Sequence, residues 1–182
     1  MQQYVALLRG INISGKNKVP MAELKSGFME AGFTDVSTYL NSGNVIFSSV
    51  MDNLADITEK VGSMIRERFD LSIPVYIIST KALKEILDHA PDWWGDESKE
   101  IYDNLIFIMA PATYEEVYNE IGEPKRELEQ IENYRDTIFW SFSRKDYAKT
   151  NWWSKTASAD IGSRLTIRTA NTVRKLMQLC EK

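Results

Sequence analysis

Two apolar periods alternate along the first half of the chain, and each change of period marks an element. Gln3 to Arg9 reads as a buried strand whose apolar content is Val5, Leu7 and Leu8. A long polar turn follows from Gly10 to Val19. Pro20 suits a first helical turn, where a missing N–H costs nothing, and Met21, Leu24, Phe28 and Ala31 then repeat at helical spacing. Gly32 ends that helix as a left-handed cap onto which Phe33 can fold back. Val36 to Leu40 and Val45 to Ser48 read as short strands around Asn41-Ser42-Gly43-Asn44, with Gly43 supplying the positive φ of a hairpin. Leu54, Ile57, Val61, Met64 and Ile65 mark a second helix, and Ile73 to Ile78 a fourth strand.

The order strand, helix, strand, strand, helix, strand is the βαββαβ arrangement of a ferredoxin-like unit. Right-handed crossovers carry strand one and strand two in the same direction, so the Gly10–Val19 turn and the Asn41–Asn44 turn fall at one end of the sheet. A bridging helix is predicted from Thr80 through Leu83, Ile86 and Leu87, stopped by Pro91. An acidic loop from Asp92 to Glu100 carries Trp93 and Trp94. Beyond it come a strand from Leu105 to Met109 and a helix capped by Thr113 with Glu116. Then follow a hairpin around Arg135-Asp136, a polar helical stretch from Lys145 to about Ser158, a strand near Leu165 and a last helix holding Val173, Leu176, Met177 and Cys180. The expected fold is α+β: two tandem ferredoxin-like (βαββαβ) subdomains with an added C-terminal helix. Residues 1–79 form the first and 80–182 the second, with the boundary between 79 and 100.

Composition narrows the chemistry. A chain of 182 residues, 43% hydrophobic and 26% charged, can bury one large core or two small ones. No apolar run approaches the ~18 residues of a membrane span, and Met1-Gln2-Gln3-Tyr4 lacks the basic and apolar regions of a secretion signal. Cys180 is the only cysteine and His89 the only histidine, which leaves no disulfide framework, no thiol cluster and no ready Ser-His-Asp triad. These features place the protein in the cytoplasm, away from membranes, with no metal and no cofactor expected. The net charge of −4 hides an asymmetry. Residues 85–136 hold fifteen Asp or Glu against four Lys or Arg, whereas residues 144–175 hold eight Lys or Arg against two Asp. The two segments could pair with one another, within one molecule or between copies, so self-association is open.

The two polar turns carry the candidate site. Gly10-x-x-x-x-Gly15-Lys16 has phosphate-loop spacing after a strand, but Asn17 stands where the Mg²⁺-binding hydroxyl belongs and the helix starts too late. A looser anion loop fits better: backbone N–H groups of Gly10 and Gly15 with Lys16 and Lys18. Asn12 and Ser14 could equally tie the loop down through bonds to its own backbone. Asn41, Ser42 and Asn44 face that loop from the hairpin, although Asn and Gly are also what tight turns prefer. Arg9, at the end of a buried strand, is suited to a carboxylate or phosphate.

Elsewhere, Arg144, Lys149, Lys155, Arg164 and Arg168 interleave with Tyr147, Trp152 and Trp153, the mixture that single-stranded nucleic acid needs. The opposing reading is a solvated basic face with both tryptophans in the core. The sheet aromatics Tyr39, Phe47 and Tyr76 do not form an RNA-recognition signature. His89 reads as a dipole partner at a helix C-terminus and Cys180 as part of an apolar face. The carboxylates from Asp92 to Glu97 lack the spacing of a calcium loop.

Tyr4-Val5-Ala6-Leu7-Leu8-Arg9-Gly10-Ile11-Asn12, Lys16-Asn17, Val19-Pro20-Met21, Thr38-Tyr39 and Ser42-Gly43-Asn44-Val45 resemble the bacterial domain-of-unknown-function 1697 family, over essentially the whole chain. Thr166, Arg168, Asn171 and Thr172 fit its C-terminal pattern, while Thr169 and Ala170 replace the expected Asn and Trp. The resemblance implies tandem ferredoxin-like halves and no assigned activity. The expected function is binding of a phosphate- or carboxylate-bearing ligand, a phosphorylated small molecule or nucleic acid. Arg9, Gly10, Asn12, Gly15, Lys16, Asn41, Ser42, Gly43 and Asn44 would form the site, with Arg168 reaching it from the second half. The alternatives are a small enzyme using the same cleft, with Lys or carboxylate acid–base chemistry, and a scaffold without ligand.

Overall fold

In the first unit, strands β1 (Gln2–Leu8), β2 (Thr34–Tyr39), β3 (Asn44–Ser49) and β4 (Val75–Ser79) form one antiparallel sheet in the order β2-β3-β1-β4. This computed structural model describes residues 1–96, 98–158 and 160–181. Helices α1 (Met21–Glu30) and α2 (Leu54–Phe69) follow β1 and β3, giving the split βαβ pair that the order of periods predicts. The pleat divides β1 between its faces. Tyr4, Ala6 and Leu8 join Phe28, Phe47 and Ile57 in the core under the helices, while Val5 and Leu7, also buried, point the other way. Asn53 caps α2 through its side chain, accepting from the N–H of Ala55 at 2.9 Å. Phe33 folds back onto α1, its N–H on the Phe28 carbonyl and its ring 5.6 Å from that of Phe28.

The second unit repeats the plan. Its strands are β5 (Ile101–Ile108), β6 (Glu129–Tyr134), β7 (Thr137–Ser143) and β8 (Leu165–Thr169), in the order β6-β7-β5-β8, again antiparallel. Helix α3 (Thr80–Asp88) precedes β5, and α4 (Tyr114–Ile121) carries the predicted capping box of Thr113 and Glu116. Helix α5 (Asn151–Ser158) lies between two short 3-10 turns, and α6 (Ala170–Cys180) ends the chain as the added helix. By contact the chain divides into Met1–Lys84 with Leu176–Lys182, and Glu85–Lys175.

The strand ends shift from their sequence positions for identifiable reasons. Pro74 cannot donate to a ladder, so β4 starts at Val75, and the Pro74 carbonyl instead accepts from the Arg9 N–H at 3.0 Å. Strand β5 begins four residues before Leu105 because Asp103 and Asn104 are buried polar members of it. Asp103 is satisfied there by the Ser141 hydroxyl at 2.6 Å. Glu97 of the acidic loop lies outside the described residues.

Candidate functional site

The β1–α1 loop closes on itself. Lys16 donates its N–H to the Ile13 carbonyl at 2.9 Å, with Ser14 at φ 49 and Gly15 at φ 76 between them. Positive φ at both central positions is the mirror-image turn that tight hairpins use, and Gly15 adopts it without a Cβ clash. Below that turn, Asn12 donates its N–H to the Asn17 carbonyl, and the Asn17 side chain donates to the Gly10 carbonyl at 2.8 Å. The loop is therefore a small built hairpin. Helix α1 starts only at Met21, so Lys16 does not sit on a helix N-terminus as a nucleotide-cradling loop requires.

Asn12 joins this hairpin to the second turn. Its Nδ2 donates to the Val19 carbonyl and to the Asn41 carbonyl, both at 2.9 Å, and its Oδ1 accepts from the Val19 N–H at 2.8 Å. The Leu8 N–H reaches the Gly43 carbonyl at 2.8 Å. Gly43 has φ +81, and a Cβ there would lie 2.7 Å from Leu8 Cβ and 2.9 Å from Ile11 Cδ1. Glycine at 43 is thus required both by backbone conformation and by the closeness of the two turns. Asn44 is fully buried and gives its amide to the Tyr39 carbonyl at 2.8 Å and the Ser42 hydroxyl at 3.0 Å. Leu40, read as a strand end, instead turns the chain with φ 58.

The site residues accordingly separate into two kinds. Asn12, Gly43 and Asn44 shape and lock the turns. Lys16, Lys18, Asn41 and Ser42 are exposed around them, and Arg9 is half-buried at the end of β1. Among the described residues, no hydrogen bond or ion pair of the Lys16 or Lys18 ammonium group is seen. The rim also carries two open aliphatic side chains, Ile13 at 61% exposure and Leu40 at 54%, so it offers cations beside apolar surface.

Arg168 belongs to the second unit, on β8. Its guanidinium donates to the Thr166 hydroxyl at 3.1 Å and the Ile167 carbonyl at 2.9 Å, and burial pushes its pKa down to about 10. Thr169 and Thr172 bond through their hydroxyls at 2.9 Å where α6 begins.

Two features of the second unit were not legible in the sequence. A groove of about 480 Å³ is lined by Trp93, Tyr114, Tyr118, Pro124, Arg126 and Ile131, among others. These residues come from three separate stretches, and only Trp93 stood out beforehand. His89 stacks on Tyr134 at 4.2 Å and donates Nδ1–H to the Glu85 carbonyl, while the Glu85 carboxylate accepts from Tyr134 and Arg135. His89 is thus tied to the last turn of α3. No group of three or more His, Cys, Asp and Glu among the described residues is placed to hold a metal ion. No helix there is long and apolar enough to cross a membrane.

Fold and turns together define a tandem ferredoxin-like α+β protein with two interlocked polar turns at the end of its first sheet. A family model described as protein of unknown function (DUF1697) matches residues 1–139, and the chain belongs to that family. It is similar to a solved structure, the conserved bacterial protein SP0830 from Streptococcus pneumoniae, at 29% identity and TM-score 0.85, over 97% of each chain. No functionally curated protein matches it.

Proposed function

We propose that the protein binds a small phosphate- or carboxylate-bearing ligand, a nucleotide among the candidates, on the two interlocked turns of its first unit. Lys16, Lys18 and Arg9 supply positive charge, Asn41 and Ser42 supply neutral polar contacts, and Ile13 with Leu40 cover the ligand's apolar part. The observation that carries this reading is the Asn12 bond to the Asn41 carbonyl at 2.9 Å. It fixes two turns from distant parts of the sequence into one rim, so a ligand would meet a site that is already ordered. Gly10 and Gly15 let the backbone follow that rim.

A thermal-shift panel of mono- and dinucleotides, sugar phosphates and inorganic anions, at low and high salt, tests it. A ligand at a hundred times its Kd adds ~2.7 kcal/mol of stability, a clear rise in Tm. The expected result is a rise that Lys16→Ala abolishes. A flat panel, or a rise that Lys16→Ala and Arg9→Ala leave intact, overturns the reading.

A further inference from the structure

The basic and aromatic segment from Arg144 to Lys155 is not used by the site above, and the fold sorts its rings. Trp152 is fully buried, and its indole donates to the Gly122 carbonyl at 3.0 Å. Trp153, one residue on along α5, is 41% exposed, and Tyr147 is 43% exposed. These two rings meet edge to face at 4.9 Å. Inward from them, Trp153 meets Phe142 at 5.7 Å, and Phe142 stacks on Tyr102 at 5.6 Å with ring planes 8° apart. The Arg144 guanidinium lies 4.5 Å over Tyr102. A guanidinium and four rings thus form one continuous run, anchored in the core at Phe142 and open to water at Trp153 and Tyr147.

Cations border the open end. Lys145 and Lys149 are exposed in the loop that carries Tyr147, and Lys125 is held to that loop by its ammonium bond to the Lys149 carbonyl at 2.6 Å. Asp146 offsets one of these charges through its 2.7 Å bond to Lys149. A positive border around open rings is notable in a chain whose net charge is −4. Basic side chains suit phosphates, and π-faces suit bases, but only bases that are not already stacked in a duplex. The rings are held by neighbours, so stacking on them costs little ordering entropy.

We propose that this edge of the second unit is a stacking platform for single-stranded nucleic acid. A base stacks on the Trp153 and Tyr147 pair while Arg144, Lys145 and Lys125 take the flanking phosphates. This goes beyond the small-ligand site and does not depend on it, since the residues belong to the other unit.

Fluorescence anisotropy of the intact protein with labelled oligo(U) and oligo(dT) of about 12 nucleotides, a length within single-strand site sizes, tests the proposal. Trp153→Ala is expected to weaken Kd about tenfold or more, as loss of one base stack does. Trp153→Phe should recover most of that loss. Tyr147→Ala, at an exposed position, should also weaken binding, which guards against a fold defect in the Trp153 variant. Lys145→Glu should flatten the dependence of log Kd on log salt, and the ring variants should leave that slope unchanged. Duplex of the same length should bind more weakly than the single strand. The proposal is overturned by absence of binding at low salt, or by equal affinity of Trp153→Ala, Tyr147→Ala and wild type. Displacement by inorganic polyphosphate at the same charge concentration as by oligonucleotide also overturns it, since charge alone then explains binding. Loss of binding in Lys16→Ala but not in Trp153→Ala would move the nucleic acid to the first unit and overturn it as well.

Discussion

Replacing Asn12 with alanine should unlock the two turns, and the structure sets the size of the effect. The side chain makes three hydrogen bonds, to Val19 twice and to the Asn41 carbonyl once. The two part-buried bonds to Val19 are each worth a net ~1 kcal/mol, and the exposed bond to the Asn41 carbonyl about half that. Asn12 also sits at φ 54, where asparagine is tolerated and alanine is strained by roughly 1 kcal/mol more. The expected loss is therefore ~3–4 kcal/mol in the unfolding of the first unit, a large part of the ~5–15 kcal/mol of a typical domain. Denaturant unfolding of the full chain, followed by a probe in the first unit, should show a lower midpoint. Asn12→Gly removes the same bonds but relieves the backbone, so it should retain ~1 kcal/mol over Asn12→Ala. Asn12→Asp keeps the acceptor for the Val19 N–H but sets a carboxylate against two carbonyl oxygens, and should be no better than alanine. A loss under ~0.5 kcal/mol for Asn12→Ala, the scale of an ordinary surface change, would refute the claim that this side chain locks the turns.

Two further outcomes follow from groups away from the turns. Glu129 is 2% exposed and accepts from the Trp140 indole at 3.1 Å, the Asn151 N–H at 2.7 Å and the Lys125 N–H at 3.1 Å. Glu129→Gln turns an amide N–H toward those donors and should cost the second unit ~2–4 kcal/mol, read as a shift in its unfolding midpoint; no shift would mean the carboxylate is dispensable. Burial, with Glu181 nearby, pushes the Cys180 thiol up to about 11. Because the neutral thiol is the favoured form, alkylation of the folded chain should rise with pH toward 11, and at pH 8 it should be at least tenfold slower than for the unfolded chain. Equal rates would refute the shift.

Period and topology were written in the sequence, because both depend on neighbours a few residues apart. The switch from alternating to helical spacing located the elements of the first unit. The rule of right-handed crossovers puts the Gly10–Val19 and Asn41–Asn44 turns at one sheet end from the order of elements alone. Gly43 was legible for its positive φ, and Thr113 with Glu116 for its capping box. What side chains do once elements meet was not legible, because their partners lie far along the chain. Asn12 finds the Asn41 carbonyl 29 residues away, so a residue that reads equally as ligand contact or loop brace has its amide committed to bracing. Asp103 and Asn104 hid the start of β5, since the Ser141 hydroxyl that makes a buried carboxylate tolerable is 38 residues distant. Trp152 and Trp153 are adjacent and identical in sequence. Only the packing of α5 on its sheet decided that one closes the core and the other faces water, because successive helical residues point about 100° apart.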